Sequence, residues 1–319
     1  MEQMKSYALV MVFLTEAHRE LVAQNFELIY APNEGTSADR SNSAAHIAAH
    51  ADKIRIVLTN GATGITTDEI NALPKLEILC TLGVGYETVP VEYLKQRGIR
   101  VCNAAGTNED CVADHAMGLL LSAIRGIPAL NNAVRKGVWR DAIPRPPNVS
   151  NKRLGLLGMG GIAKKIAKRA LAFDMQIGYY SRTRRDETGF EFFPDLLSLA
   201  TWCDFLVVAA PGGKETFHII NAAVLKALGP QGVLVNIARG SLVNTEALAT
   251  ALQNNVIAAA ALDVYESEPK PPLALLEFEN AIITPHVAGL SPEAMLASVE
   301  CFIDNANLHI AGKPLRTPL

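Results

Sequence analysis

Apolar residues in this chain come in short runs that end at turn signals, with amphipathic stretches between them. In the first hundred residues the runs are Ala8–Leu14, Phe26–Tyr30 (Pro32 behind it), Ile54–Thr59, Leu76–Thr81 and Ile99–Asn103. The third ends in Asn60-Gly61, the fourth in Gly83-Val84-Gly85 and the fifth near Gly106. Between them Thr15–Gln24, Ser43–Lys53, Thr67–Leu73 and Val91–Arg97 have helical spacing. Apolar, turn-ended strands alternating with helices predict a parallel sheet covered on both faces. These units carry no phosphate-type glycine fingerprint, so the expected order is flavodoxin-like. Ligands of such sheets bind beyond the strand carboxyl ends, where Asn60-Gly61 and Leu82–Gly85 fall.

Residues 108–136 form one helical region, interrupted at Gly126 and Pro128. Trp139–Val149 holds Pro144, Pro146 and Pro147 and has little periodicity; it reads as an irregular arm or connection. A second alternating set begins at Leu154. Six strands are expected in it, at Leu154–Leu157, Gln176–Tyr180, Asp204–Ala209, Val233–Ile237, Ala258–Asp263 and Ala281–Thr284. Helices are expected at Ile162–Phe173, Asp195–Ala200, Ala222–Leu228 and Thr245–Asn254. Ser291–Ala311 is again helical and is expected to pack back on the first domain. The reading is two doubly wound α/β domains. Residues 1–103 with 290–319 make a flavodoxin-like substrate domain, and 104–289 a Rossmann dinucleotide-binding domain. A hinge is expected near Asn103–Thr107 and Ala288–Ser291.

A length of 319 residues agrees with two domains. Hydrophobic residues make up 49% and charged ones 19%, a globular composition. A formal charge of −3 argues against a general nucleic-acid or membrane-surface binder. Cys80, Cys102, Cys111, Cys203 and Cys301 have no metal or redox spacing and sit mostly in apolar runs, which suits buried thiols in a reducing compartment. The first apolar run is about half a membrane span, and no targeting signal is evident. The cytoplasm is the expected location.

The densest chemical signal is Leu154–Ala170, LGLLGMGGIAKKIAKRA. Gly158, Gly160 and Ala163 take the G-x-G-x-x-G/A positions of a dinucleotide-binding turn. Gly158 would allow the sharp turn, Gly160 the approach of a pyrophosphate, and Ala163 close packing of the helix. The phosphates would meet the helix N-terminus. Alone the pattern is weak; the strand–helix context around it raises it well above a plain connection. About twenty residues beyond the first glycine, an NAD site places an acidic residue on the ribose. Here the second strand ends in Tyr180-Ser181 followed by Arg182-Thr183-Arg184-Arg185, and no acid occurs between Met175 and Arg185. A serine with adjacent guanidinium groups suits a 2′-phosphate, so NADPH is expected, with NADH as a weaker alternative. A solvated basic turn is the plain reading of the same residues.

Arg239 in VNIARGSLVNTEAL, Glu268 in ALDVYESEP and His286 in ITPHVAG each follow a strand of the second domain. Singly they read as a surface cation, a loop carboxylate and a turn histidine. Together with the glycine turn, LGVGYETV at Leu82–Val89 and NAAGTNEDCVADHAMGLLL at Asn103–Leu121, they resemble the D-isomer-specific 2-hydroxyacid dehydrogenase family over nearly the whole chain. The resemblance runs closest to its NADPH-dependent glyoxylate/hydroxypyruvate reductases, with 2-ketogluconate and hydroxyphenylpyruvate reductases near. It implies a catalytic Arg239, Glu268 and His286. It implies cofactor contacts at Thr107, Gly158, Met159, Gly160, Gly161, Ile162, Ser181, Arg182, Thr183, Arg184, Ala210, Pro211, Ile237, Ala238, Arg239, Asp263 and His286. Substrate contacts would be Val84, Gly85, Arg239 and His286, and no metal is implied. The implied reaction is reduction of a small 2-keto acid to the D-2-hydroxy acid by a homodimer, with Trp139 and the arm near the contact. Ala163, Ser241 and Asn244 depart from the usual wording, where Gly, Gly and Asp are common. With the last helix so near Leu319, no C-terminal regulatory domain is expected. His115 and His218 read as structural, and His18, His46, His50 and His309 as surface or helix-end residues. A dinucleotide-sensing binding protein, like the corepressors built on the same fold, is the competing class.

Overall fold

The computed structural model describes residues 5–33, 39–143 and 145–319. The chain divides into two units, one reaching to Asn108 and including Leu290–Leu319, the other Glu109–Gly289. The expected boundary at Asn103 moves to Asn108 because the intervening residues are tied to the first unit. Asn103 N–H donates to Thr317 O (3.2 Å), Ala104 N–H donates to Gly83 O (2.8 Å), and Thr107 Oγ1 lies 2.8 Å from Ser298 Oγ.

The first unit runs β1 (Tyr7–Val10), α1 (Glu16–Asn25), β2 (Glu27–Tyr30), α2 (Ser41–His50), β3 (Ile54–Thr59), α3 (Thr67–Asn71), β4 (Ile78–Thr81), α4 (Val91–Gln96) and β5 (Arg100–Cys102). The sheet is parallel in the order β2-β1-β3-β4-β5. The first apolar run is a strand only to Val10; Met11–Leu14 continue as irregular chain with Met11, Val12 and Leu14 buried and Phe13 exposed. Successive strand residues point to opposite faces, and both faces are covered. Val10, Leu58 and Cys80 belong to one core, and Leu9, Val57 and Leu79 to the other.

The second unit begins with α5 (Glu109–Arg125) and α6 (Ile127–Arg135). The break between them is Gly126, whose left-handed backbone (φ +62°) ends one helix while Pro128 opens the next. A short 3₁₀ turn, Arg140–Ala142, is the regular part of the expected arm; Pro144 lies outside the described residues. There follow β6 (Arg153–Leu157), α7 (Gly161–Leu171), β7 (Gln176–Tyr180), β8 (Glu191–Phe192), α8 (Leu196–Trp202), β9 (Phe205–Val208), α9 (Ala222–Leu228), β10 (Val233–Asn236), α10 (Thr245–Gln253), β11 (Ala259–Leu262) and β12 (Ala281–Ile283). The sheet is parallel, in the order β12-β11-β10-β9-β6-β7-β8. It has seven strands where six were expected. The added one, β8, is a two-residue edge strand too short to show a period. The chain order reverses between β6 and β9, the switch point where such sheets bind ligands.

α11 (Pro292–Ile310) follows, capped by the Ser291 side chain. It belongs to the first unit and buries Val299, Phe302, Ile303 and Ala306 in the core that contains Val10 and Leu58. Among the described residues no helix is long and apolar enough to cross a membrane.

Candidate functional site

β6 ends at Gly158, whose φ of +99° lies in the left-handed region. A Cβ there would stand 2.8 Å from the Ala209 carbonyl oxygen at the end of β9. The turn therefore requires glycine for both backbone and space. Gly160 differs: it is exposed, with φ −83°, and a Cβ on it would meet no protein atom within 4 Å. The protein leaves that space open beside the N-terminus of α7, as a pyrophosphate approaching the backbone requires. A Cβ on Gly161 would overlap the Glu109 carboxylate of α5, so this glycine serves packing as well. Ala163 is fully buried and Met159 nearly so, while Ile162 is half-buried.

β7 lies beside β6 and leads into the basic turn. Ser181 Oγ donates to Thr183 O (2.7 Å). Arg182 and Arg184 are exposed and pair with Glu215 (3.1 Å) and Asp186 (2.6 Å). Such solvent-exposed pairs are weak, so a doubly charged phosphate can take their place. Ala210 and Pro211 follow β9, and Ile237 and Ala238 follow β10; of these only Pro211 is exposed. Thr107, in the first unit, donates to Ala104 O (2.8 Å).

Three loops at the carboxyl ends of β10, β11 and β12 carry the acid–base groups. At the end of β10 the fully buried Asn236 folds the chain back on itself. Its Oδ1 accepts from Ala238 N–H (3.0 Å) and its Nδ2 donates to Arg239 O (3.0 Å). Arg239 is half-buried and donates from Nη1 to Ala238 O (2.7 Å). Its stem runs 3.0 Å from where a Cβ on Gly212 would be. Beyond β11, Glu268 Oε1 accepts from Tyr265 N–H (2.8 Å), which leaves Oε2 for His286 Nδ1 at 2.7 Å. Beyond β12, His286 has a left-handed backbone (φ +53°), unusual for a residue with a side chain. Asp263, 1% exposed, holds it so. The Asp263 carboxylate accepts from Thr284 Oγ1 (2.6 Å), Val287 N–H (3.0 Å) and Ala288 N–H (2.9 Å), and its carbonyl accepts from His286 N–H (2.8 Å).

The hydrogen bond to Glu268 raises the His286 pKa above the ordinary histidine value. Partial burial opposes it, the charges of Glu268 and Asp263 reinforce it, and Arg239 works against it. The result is a half-exposed imidazole whose protonated form is favoured, held through Nδ1 by Glu268, with the Arg239 guanidinium within electrostatic reach. Such a pair delivers a proton to an oxygen that becomes negative.

In the first unit, Val84 and Gly85 follow β4. Asn103 Nδ2 donates to Val84 O (3.0 Å), and a Cβ on Gly61 would lie 2.7 Å from the Gly85 carbonyl carbon. The loops after β3 and β4 are thus packed on each other. The N–H groups of Val84 and Gly85 have no acceptor among the described residues.

Residues 117–288 match the family model "D-isomer specific 2-hydroxyacid dehydrogenase, NAD binding domain". The chain is 39% identical to a hydroxyphenylpyruvate reductase of Plectranthus scutellarioides over 86% of its own length and 88% of the relative's. The chain belongs to the D-isomer specific 2-hydroxyacid dehydrogenase family. A glyoxylate/hydroxypyruvate reductase A of Arabidopsis thaliana is 38% identical to this dehydrogenase over 85% of its chain and 87% of the relative. The crystal structure of an NADPH-dependent glyoxylate/hydroxypyruvate reductase from Sinorhizobium meliloti, in complex with NADP and malonate, superposes with a TM-score of 0.86. The two are 35% identical, with 99% of this chain and 97% of that one covered. This dehydrogenase is an oxidoreductase that uses a nicotinamide dinucleotide on a keto or hydroxy acid.

Of the residues expected at the site, the second unit brings Arg239, Glu268, Asp263 and His286 onto adjoining loops at one sheet edge. The glycine turn and Ala210–Pro211 lie at the switch point. Asn236 and Glu109 are supports the sequence reading missed. Both stand inside segments that carry the resemblance, but Asn236 acts through an irregular turn onto Ala238 and Arg239, and Glu109 through Gly161, far along the chain.

Proposed function

We propose that this dehydrogenase reduces a small 2-keto acid, of the glyoxylate or hydroxypyruvate kind, to the D-2-hydroxy acid. NADPH is the preferred cofactor and NADH a weaker one. The observation that carries the reading is the 2.7 Å His286–Glu268 pair at the strand ends beside Arg239. His286 Nδ1 is engaged by Glu268, so Nε2 gives the proton to the carbonyl oxygen. Glu268 keeps the ring charged and oriented until that moment. Arg239 offers a planar fork to the substrate carboxylate and stabilises negative charge on the carbonyl oxygen. In the first unit, the N–H groups of Val84 and Gly85 are proposed to bind a carboxylate. The bound nicotinamide supplies the hydride.

Gly158, Gly160 and the α7 N-terminus would hold the pyrophosphate, with Met159, Gly161, Ile162, Ala210, Pro211, Ile237, Ala238 and Asp263 around the rest. Support for NADPH comes from Ser181, Arg182, Thr183 and Arg184 at the end of β7. The reductase of Sinorhizobium meliloti, described as NADPH-dependent, supports the same preference. Exposed Ile127, Val134, Val138 and Trp139 on α6 and the arm support a homodimer contact.

The test is NADPH consumption with glyoxylate, hydroxypyruvate, 2-ketogluconate and hydroxyphenylpyruvate, repeated with NADH. The largest kcat/KM is expected for glyoxylate or hydroxypyruvate with NADPH. Turnover confined to the two bulky acids would overturn the substrate class. Silence with all four would overturn the reaction.

A further inference from the structure

The second unit holds another histidine–carboxylate pair outside the proposed acid–base site. His218 Nε2 lies 2.6 Å from Glu266 Oε1, and its Nδ1 lies 3.2 Å from Asn244 Nδ2. Asn244 Oδ1 is taken by Ala247 N–H at the start of α10 (2.9 Å), which fixes the amide so that Nδ2 donates to the ring. Nδ1 is then the acceptor, and Nε2 carries the proton given to Glu266. The other Glu266 oxygen accepts from Thr245 N–H (3.0 Å) and Thr245 Oγ1 (2.6 Å). His218 N–H donates to Ser241 O (2.8 Å) from a left-handed backbone with φ +51°.

One imidazole thus ties three loops: Pro211–His218, Arg239–Asn244 and Tyr265–Glu268. Each carries a residue of the proposed site, namely Pro211, Arg239 and Glu268. The backbones are as close as the side chains, because a Cβ on Gly240 would overlap the Tyr265 carbonyl carbon. Slack between these loops has one natural outlet, the relative placement of Arg239, Glu268 and His286. Catalytic groups misplaced by about 1 Å lose about 10²-fold in rate.

We infer that His218 is a positioning residue for the reduction: through Glu266 and Asn244 it sets the Arg239 loop against the Glu268 loop, without touching substrate. This rests on the roles given above to Arg239, Glu268 and His286. The charged groups facing His286 are Glu268, Asp263 and Arg239, and His218 governs the loops of the first and third.

The test is His218→Phe, which keeps a ring against Phe217 (centroids 3.9 Å apart) but bonds to neither partner. Expected are a kcat lower by about 10–100-fold, little change in KM for NADPH, and an alkaline limb of the kcat/KM profile moved to lower pH. His218→Gln, which keeps one donor and one acceptor, should restore most of both. If His218→Phe does not fold, Asn244→Ser keeps the helix cap, removes the amide donor, and should move the limb in the same direction. An unmoved limb, with activity lost equally at every pH or not at all, overturns the inference. Glu268→Gln in the otherwise unchanged enzyme separates the two ideas. If it moves the limb and His218→Phe does not, only the positioning role fails. If it leaves the limb in place, the acid–base reading fails and the inference with it.

Discussion

His286 is a strained residue in a supported place. Its left-handed backbone costs on the order of 1–3 kcal/mol, and the fourfold grip of Asp263 on the segment from Thr284 to Ala288 holds it there. The reward is an imidazole aimed at Glu268. Its pKa is raised first by the hydrogen bond to Glu268, then opposed by burial and by Arg239. The sign follows. The charged form is favoured in the folded protein, so this contribution to stability is complete below the unfolded value of about 6.5. It is lost as pH rises through the higher folded value. Reduction needs the same charged form, so kcat/KM should fall as pH rises through the raised pKa. Glu268→Gln removes the negative charge and should bring that fall to lower pH, read from a pH–rate profile. An unmoved limb would refute the role of Glu268. His286→Ala should lower kcat by about 10²–10⁴-fold with NADPH affinity little changed, checked by steady-state rates and cofactor titration. Wild-type turnover would refute the general acid.

At the scale of elements, the β6–α7 turn separates two uses of glycine that look alike in the sequence. Gly158 is needed by the fold and Gly160 by the ligand. Gly160→Val, at φ −83° with open space around it, should abolish cofactor binding while leaving the melting temperature nearly unchanged. Gly158→Val should lower both, because it forces a side chain into φ +99° and onto Ala209. Equal stability loss in the two variants would refute the distinction. After β7, replacing Arg182 and Arg184 together should weaken NADPH far more than NADH in binding titrations; equal weakening would remove the phosphate-binding role. Most elements were legible because the strands are buried on both faces and read as apolar runs closed by Gly, Pro or Asn. The glycine turn and the loops bearing Arg239, Glu268 and His286 were legible because each is a local wording. β8 was not, since two residues at a sheet edge carry no period. Nor was the His218–Glu266 tie, whose two residues lie 48 apart and are brought together only by the fold. The boundary at Asn108 was displaced for the same reason: what holds Asn103–Thr107 to the first unit includes Thr317 and Ser298, near the other end of the chain.

At the scale of the whole molecule, the chain leaves its first unit at Asn108 and returns to it at Leu290. The first unit is therefore incomplete until the last helix is made. α11 places Val299, Phe302, Ile303 and Ala306 on one face of the β2-β1-β3-β4-β5 sheet, with the Phe302 ring 5.8 Å from that of Phe26 on the segment joining α1 to β2. Burying Val299, Phe302 and Ile303 contributes about 1.5–3 kcal/mol each, a large share of a typical domain's margin. The tail beyond α11 adds polar ties: the buried Asn305 donates to Thr317 Oγ1 (3.0 Å) and accepts from Arg316 N–H (2.8 Å). Phe302→Ala should therefore destabilise the first unit by about 3–5 kcal/mol, the usual cost of emptying a buried phenylalanine site. The two tryptophans, Trp139 and Trp202, both lie in the second unit, which separates the readouts. In a denaturant titration of the variant, far-ultraviolet circular dichroism should lose part of its amplitude early, while the tryptophan signal keeps its wild-type midpoint. Coincident, equally shifted transitions would show that the units unfold as one. A dichroism curve that does not move at all would mean that α11 is not part of the first unit's stabilising core.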